Sequence, residues 1–228
     1  MAVYQDPRYF LANSYLDPDP NVLYGEDEEF YYSEAKYVQL GKDWGAFWVG
    51  NFFPDLNAWD KLRPMRGRGA GGSGASFVFP GTAMRVAIPT MPVGTYKKAH
   101  RHGPGIFIVI PGEADGYSIM WPDGGERVVI PWHEGSAFIP PNMWYHQHFN
   151  VGASPARYMP LHTPRHHLFG GQRGARAKGN QIEYPDEGPW IRQKFEDELA
   201  KRGLKSLMPR ECYVDRDFEW DYPEDDGG

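Results

Sequence analysis

Two stretches decide the reading of this chain: VGTYKKAHRHGPGIFIVIPG, residues 93–112, and GSAFIPPNMWYHQHFN, residues 135–150. Each holds a His-x-His pair, His100 with His102 and His146 with His148, among strand-forming residues and turn residues. Along a β-strand, side chains at i and i+2 project from the same face, so each pair presents two imidazoles side by side. A neutral imidazole carries a nitrogen lone pair on a short rigid arm. Three of them converging on a divalent ion leave positions open for a substrate or dioxygen. For one pair taken alone, two histidines on an exposed strand face is the simpler account, and the surrounding residues have to decide.

Those surroundings are a ladder of short strand candidates at 77–79, 84–88, 96–102, 106–110, 117–121, 127–130, 136–139, 143–149 and 156–162, each bounded by Gly, Pro, Asp or Asn. Evenly spaced strands with turn signals, and no helix-length segment between them, predict an all-β antiparallel barrel. Pro122-Asp123-Gly124-Gly125 reads as a hairpin turn. Composition agrees: 15% of residues are aromatic, and the chain has 27 Gly and 21 Pro. Outside the ladder, Asp6-Pro7 starts a short helix carrying Tyr9, Phe10 and Leu16, and residues 30–53 read as one or two outer strands. Residues 66–76 contain Gly67, Gly69 and Gly72 in the spacing of a dinucleotide fingerprint, but no strand leads in and no helix follows, so a mobile loop is expected. A helix over 189–202 starts at Pro189, carries Ile191, Phe195 and Leu199 on one stripe, and stops at Gly203. The expected organisation is one structural domain: an extension over 1–60, a barrel core over 77–162, and a C-terminal loop, helix and acidic tail over 163–228.

Charge and cysteine content exclude several classes. The formal net charge of -6, with acids concentrated between Asp215 and Asp226, offers no basic face to nucleic acid. A single cysteine, Cys212, excludes an internal disulfide and Cys-based metal sites. No apolar run nears the ~20 residues that span a bilayer, and the first residues lack the basic start and apolar core of a signal peptide. A soluble cytoplasmic protein with a small-molecule substrate is expected.

The two quoted stretches resemble the motifs of the cupin superfamily, G(X)5HXH(X)3-4E(X)6G and G(X)5PXG(X)2H(X)3N. Gly94, His100 and His102 match the first, with Gly112 one residue short of its closing glycine, and Gly135, Pro141, His146 and Asn150 match the second. Met143 stands where the second motif has its inner glycine. The resemblance implies a double-stranded β-helix (jelly-roll) barrel with a divalent metal on His100, His102 and His146. The motif glutamate is missing: its window holds Gly105, Ile106 and Phe107, while Glu113 comes too late and reads as a turn residue. A site of three histidines resembles gentisate-type cupin dioxygenases and implies Fe(II), with Mn, Zn or Ni as alternatives. A redox-neutral decarboxylase, lyase or isomerase, and a noncatalytic binding cupin, are the rival readings. Cupins commonly pair, so a homodimer is expected, with the helices around Phe10 and Phe195 as apolar surfaces in need of a cover.

The remaining candidates follow from position. His148 shares the face of His146 as a fourth ligand, an acid/base, or, preferred, a partner orienting a ligand. His162 ends the last strand, at the cavity mouth or as a rim histidine. Arg85, in an apolar strand, either clamps an acidic substrate or points to solvent. Phe107, Trp121, Tyr145 and Gln147 are candidates to line the cavity, the aromatics having plain core packing as the simpler account. Residues 170–179, with Arg173, Arg176 and Lys178, are either a lid over an anionic substrate or a connecting loop.

Overall fold

The computed structural model describes residues 46–49, 62–78, 85–103, 106–162 and 179–222. The strands are β1 (Ala46–Val49), β2 (Arg63–Pro64), β3 (Ser73–Val78), β4 (Arg85–Met91), β5 (Ala99–His100), β6 (Ile106–Val109), β7 (Gly116–Trp121), β8 (Val128–Pro131), β9 (Ala137–Phe138), β10 (Tyr145–Asn150), β11 (Ala156–Arg157), β12 (Met159–His162) and β13 (Gln181–Ile182), followed by helix α1 (Pro189–Lys201). One sheet runs β1-β3-β4-β12-β6-β9, with β2 on β3 and β11 on β4, and the other runs β13-β5-β10-β7-β8. From β4 onward the chain passes between the sheets, β4 to β5, β6 to β7 and β9 to β10, which winds it as a double-stranded β-helix.

The ladder expected from the sequence is present with its ends shifted by a few residues. The pairings within the ladder are antiparallel, as expected, and the outer strand β1 runs parallel to β3. One expectation is corrected. The glycine-rich stretch is not a loose loop: residues Arg66–Arg68 form a 3-10 turn, and Ser73–Val78 pairs with β4 as β3. Its small residues allow close approach of neighbouring chain, since a Cβ at Gly72 would stand 2.7 Å from the carbonyl of Thr90. The turn at 122–125 is closed by Gly125 N–H donating to Pro122 O. The residues expected to form an N-terminal helix, and nearly all of residues 170–179, lie outside the described residues.

β7 and β10 are buried on both faces. Opposed residues in their register share a face, and Tyr145 with Trp121, Gln147 with Ile119, and Phe149 with Tyr117 look outward. Helix α1 covers that outer face. Ile191, Phe195 and Leu199 are buried there with Tyr96, Tyr117, Ile119, Trp121, Tyr145 and Phe149. The Phe195 ring lies 4.8 Å from Tyr96 and 5.9 Å from Phe149. The apolar stripe of α1 is thus covered by its own barrel and asks for no second subunit. A separate apolar cluster, Met91, Ile106, Ile108, Ile110, Trp132, Ala156 and Tyr158, spans the other sheet. No described helix is long and apolar enough to cross a membrane.

One carboxylate is caught in the seam between α1 and the barrel. Glu187 accepts from the Tyr96 hydroxyl and, at 3.1 Å, from Gln147 Nε2. Burial pushes its carboxyl up to about 7, against the downward pull of both donors. The folded state therefore holds this proton more tightly than the unfolded chain does. Its stabilising contribution is complete below the ordinary value of 4.5 and is lost as pH rises through about 7. Glu187→Gln has no proton to lose. Relative to the natural protein it should gain on the order of 2 kcal/mol in urea melts between about pH 5 and about pH 8. The same pH response in both proteins would show that Glu187 is not the titrating group.

Candidate metal centre

On the inner face of the second sheet, β10 brings His146 opposite His100 of β5 and Met120 of β7. His102 follows two residues after His100, and its carbonyl accepts from Met143 N–H at 3.1 Å. Ring centroids are 4.3 Å apart for His100 and His146, 4.7 Å for His102 and His146, and 5.7 Å for His100 and His102. One nitrogen from each of the three lies within 4.8 Å of the others, and all three side chains are buried. They form the one such His, Cys, Asp or Glu group among the described residues.

Hydrogen bonding sets which nitrogen faces the centre. Nδ1 of His100 lies 3.2 Å from Lys98 O, Nδ1 of His146 3.2 Å from Trp144 O, and Nδ1 of His102 2.9 Å from Gly103 O. A carbonyl can only accept, so each Nδ1 carries the hydrogen and each Nε2 keeps its lone pair. Burial lowers the proton affinity of all three rings: His102 falls to about 4, and His100 and His146 fall well below their ordinary value. Three neutral rings with lone pairs converging, each held from behind by a carbonyl, are the donor set of a divalent metal site. His100, His102 and His146 would hold such an ion, which would supply Lewis-acid or redox chemistry at the inner face.

The motif positions explain the local backbone. Gly94 and Gly135, the first residues of the two motifs, sit at φ +62 and +75, and a Cβ on Gly94 would stand 2.8 Å from Lys205 O. Asn150 donates from Nδ2 to the carbonyls of Met91, Pro92 and Ser154, tying the end of β10 to the turn after β4. In the window of the missing glutamate, Ile106 is buried and Phe107 points outward, while Glu113 is exposed. The fold is a double-stranded β-helix barrel.

This assignment rests on the barrel winding and on the two motifs meeting at one centre. No protein-family model matches the chain, and no curated protein matches it. Among solved structures, the cupin 2 conserved barrel domain protein from Rhodopseudomonas palustris is 15% identical, with 48% of this chain and 76% of that one covered and a TM-score of 0.38. Peruvianin-I, a cysteine peptidase from Thevetia peruviana latex, is 17% identical over 36% of this chain and 51% of its own, with a TM-score of 0.32. Oxalate decarboxylase from Bacillus subtilis is 14% identical over 36% of this chain and 22% of its own, with a TM-score of 0.33. The chain thus spans about half the length of Peruvianin-I and about a fifth of the decarboxylase.

Within the barrel the other expected site residues divide. His148 is buried on the inner face, 5.7 Å from His146 between centroids. Its Nδ1 lies 2.8 Å from Ser118 Oγ, which itself receives the indole N–H of Trp132 at 3.0 Å. Among the described residues His148 Nδ1 is the one acceptor in reach of the Ser118 hydroxyl's own hydrogen, so the buried hydroxyl donates to it and the ring hydrogen of the neutral His148 sits on Nε2. His148 thus presents an N–H where the other three present lone pairs, and a fourth-ligand role does not suit it. His162 is buried on the first sheet, paired with Ile106 and Arg85, outside the three-histidine cluster. For Arg85 the register opposite His162 is described and the side chain is not. Four expected cavity residues are corrected. Trp121, Tyr145 and Gln147 lie on the outer face, because alternation puts them opposite in sense to His146 and His148. Phe107 is 37% exposed.

Two inner residues had no sequence signal. Lys97 is 1% exposed, its Nζ 5.1 Å from the centre of the Tyr158 ring and 4.0 Å from Met65 Sδ. Arg68, in the 3-10 turn of the glycine-rich stretch, donates to Gln181 Oε1 at 2.8 Å, and its charge depresses the proton affinity of His100, His102, His146 and His148.

At the place of the second motif's inner glycine, Met143 has φ +59, in the left-handed region, and is 39% exposed. A non-glycine residue there costs about 1–2 kcal/mol, against about 0.5–1 kcal/mol for the extra freedom a glycine has when unfolded. Met143→Gly should therefore stabilise the protein by about 0.5–1 kcal/mol in denaturant melts. A loss of stability would mean that the Met143 side chain contributes packing greater than its backbone strain.

Proposed function

We propose that this protein is a metal-dependent cupin enzyme, an Fe(II) dioxygenase acting on a small oxygen-rich substrate, aromatic or hydroxy-acid, at His100, His102 and His146. The observation that carries this reading is the set of three neutral Nε2 lone pairs with the aliphatic Ile106 in the window where a carboxylate ligand would stand. Fe(II) held by neutral ligands keeps its full charge, which favours chelation by an anionic substrate and activation of dioxygen. The chain's own residues supply the rest. Backbone carbonyls fix the orientation of the three rings, and the His148 N–H would offer a hydrogen bond to an acceptor group of the substrate. The cluster around Ile108, Trp132 and Tyr158 keeps bulk water from the inner face. A soluble cytoplasmic homodimer belongs to this proposal, and light scattering at micromolar concentration tests the dimer.

One observation favours a redox-neutral alternative, a decarboxylase, lyase or isomerase. Burial drives the Lys97 ammonium down to about 7, which gives the inner face a group able to exchange protons near neutrality. Metal analysis of protein purified without added metal, followed by an oxygen-uptake screen over catechols, hydroxybenzoates and diketones, separates the two. Iron with oxygen uptake supports the dioxygenase. Turnover with bound metal and no oxygen uptake supports the alternative.

His100→Ala, His102→Ala and His146→Ala should each abolish stoichiometric metal binding and leave a folded barrel by circular dichroism, since apolar clusters on both sheets hold the fold. His148→Ala should keep the metal and lower activity roughly 10–100-fold. Full metal content in any of the first three variants would remove that residue from the site.

A further inference from the structure

Lys97 reaches the inner face through an irregularity in the strand. Tyr96 pairs with Phe149 and His100 with His146, so four steps on one strand match three on the other. Lys97 N–H donates to His148 O, which leaves Lys98 and Ala99 together opposite Gln147. This is a bulge of one residue. Without it, alternation would put Lys97 and His100 on opposite faces. With it, Tyr96 packs outward on Phe195 and Lys98 pairs with Glu183, while Lys97 and His100 are both buried.

The inner face so built is one-sided in chemistry. No acidic side chain contacts Lys97 among the described residues: its neighbours there are the Tyr158 ring, Met65 Sδ and the charge of Arg68. The charges that act on His148 are those of Lys97, His102 and Arg68, again with no acid. His148 adds an N–H donor, and a metal on the three Nε2 atoms would add two more positive charges. A buried ammonium lacking a counter-charge is costly, and a bound anion is what removes that cost.

We propose that Lys97 and His148 form an anion-binding subsite beside the metal centre, so that the ligand is a small organic acid with one oxygen group at the metal and a second acceptor group, such as another carboxylate, held by Lys97 Nζ. The subsite rests on the metal reading given above and adds the substrate class to it. Arg68, anchored on Gln181, whose backbone pairs with His100, adds to the same field, its charge lowering the proton affinity of Lys97 and of His148.

The test uses the full chain loaded with Co(II), its metal content measured first. Acetate, oxalate, malonate and succinate are then titrated by calorimetry into the natural protein and into Lys97→Met and Lys97→Gln. At least one dicarboxylate should bind the natural protein tenfold or more tighter than acetate does. Lys97→Met, close in shape and without charge, should retain the metal and lose that preference, with acetate affinity changed less than twofold. Lys97→Gln serves where Lys97→Met fails to fold, with the same loss expected. If the natural protein takes up no Co(II), the metal reading fails and the subsite with it. If it takes up Co(II) but prefers no dicarboxylate over acetate, or keeps the preference in the folded Lys97 variants, the subsite alone is overturned.

Discussion

Strand β10 is buried on both faces, and the alternation of its side chains is the constraint on which the rest of the structure depends. Outward, Tyr145, Gln147 and Phe149 anchor the seam with α1, and inward, His146 and His148 serve the centre. A shift of one residue in its register would send the histidines into an apolar seam and the aromatics into the barrel. The two outcomes differ greatly in free energy, because imidazoles in the seam would lose their hydrogen bonds while Phe149 and Tyr145 would lose their stacking partners at 4.6 and 5.7 Å. Packing of helix α1 on the outer face of β10 therefore holds the three clustered histidines in place from behind.

Desolvation organises the chemistry of the inner face. It keeps four histidines neutral, so that lone pairs are available without displacing protons, and it makes the Lys97 charge expensive. Hydrogen-bond partners then differentiate rings that burial alone would leave equivalent. Three Nδ1 atoms face carbonyls and one faces a serine hydroxyl already engaged by Trp132. The result is three acceptors aimed at one point with a donor beside them, a division of roles set wholly by what stands behind each ring.

The glycine-rich stretch shows how composition can mislead. Its glycines suggest freedom, yet they let β3 lie close against β4 and bring Arg68 toward the histidines. Met143 shows the converse, a bulky residue in a left-handed turn where the motif has glycine, held because its N–H closes onto His102 O and joins the two motifs.

The sequence by itself determined the strand ladder, the barrel class, the stripe of α1 and the three histidines, because each is written in a local period or spacing: two for strands, three to four for the helix, and His-x-His for a shared face. The same period could not say which way a strand faces once both faces are buried, so Trp121, Tyr145 and Gln147 were expected on the wrong side. Only the tertiary structure decided that side, through the helix that covers it. It alone also placed Lys97 on the inner face, since a bulge is a mismatch between two strands far apart in the chain and leaves no mark in either one. The proton positions of the four histidines are of the same kind: each depends on the atom behind Nδ1, and for His148 that atom belongs to Ser118, thirty residues away.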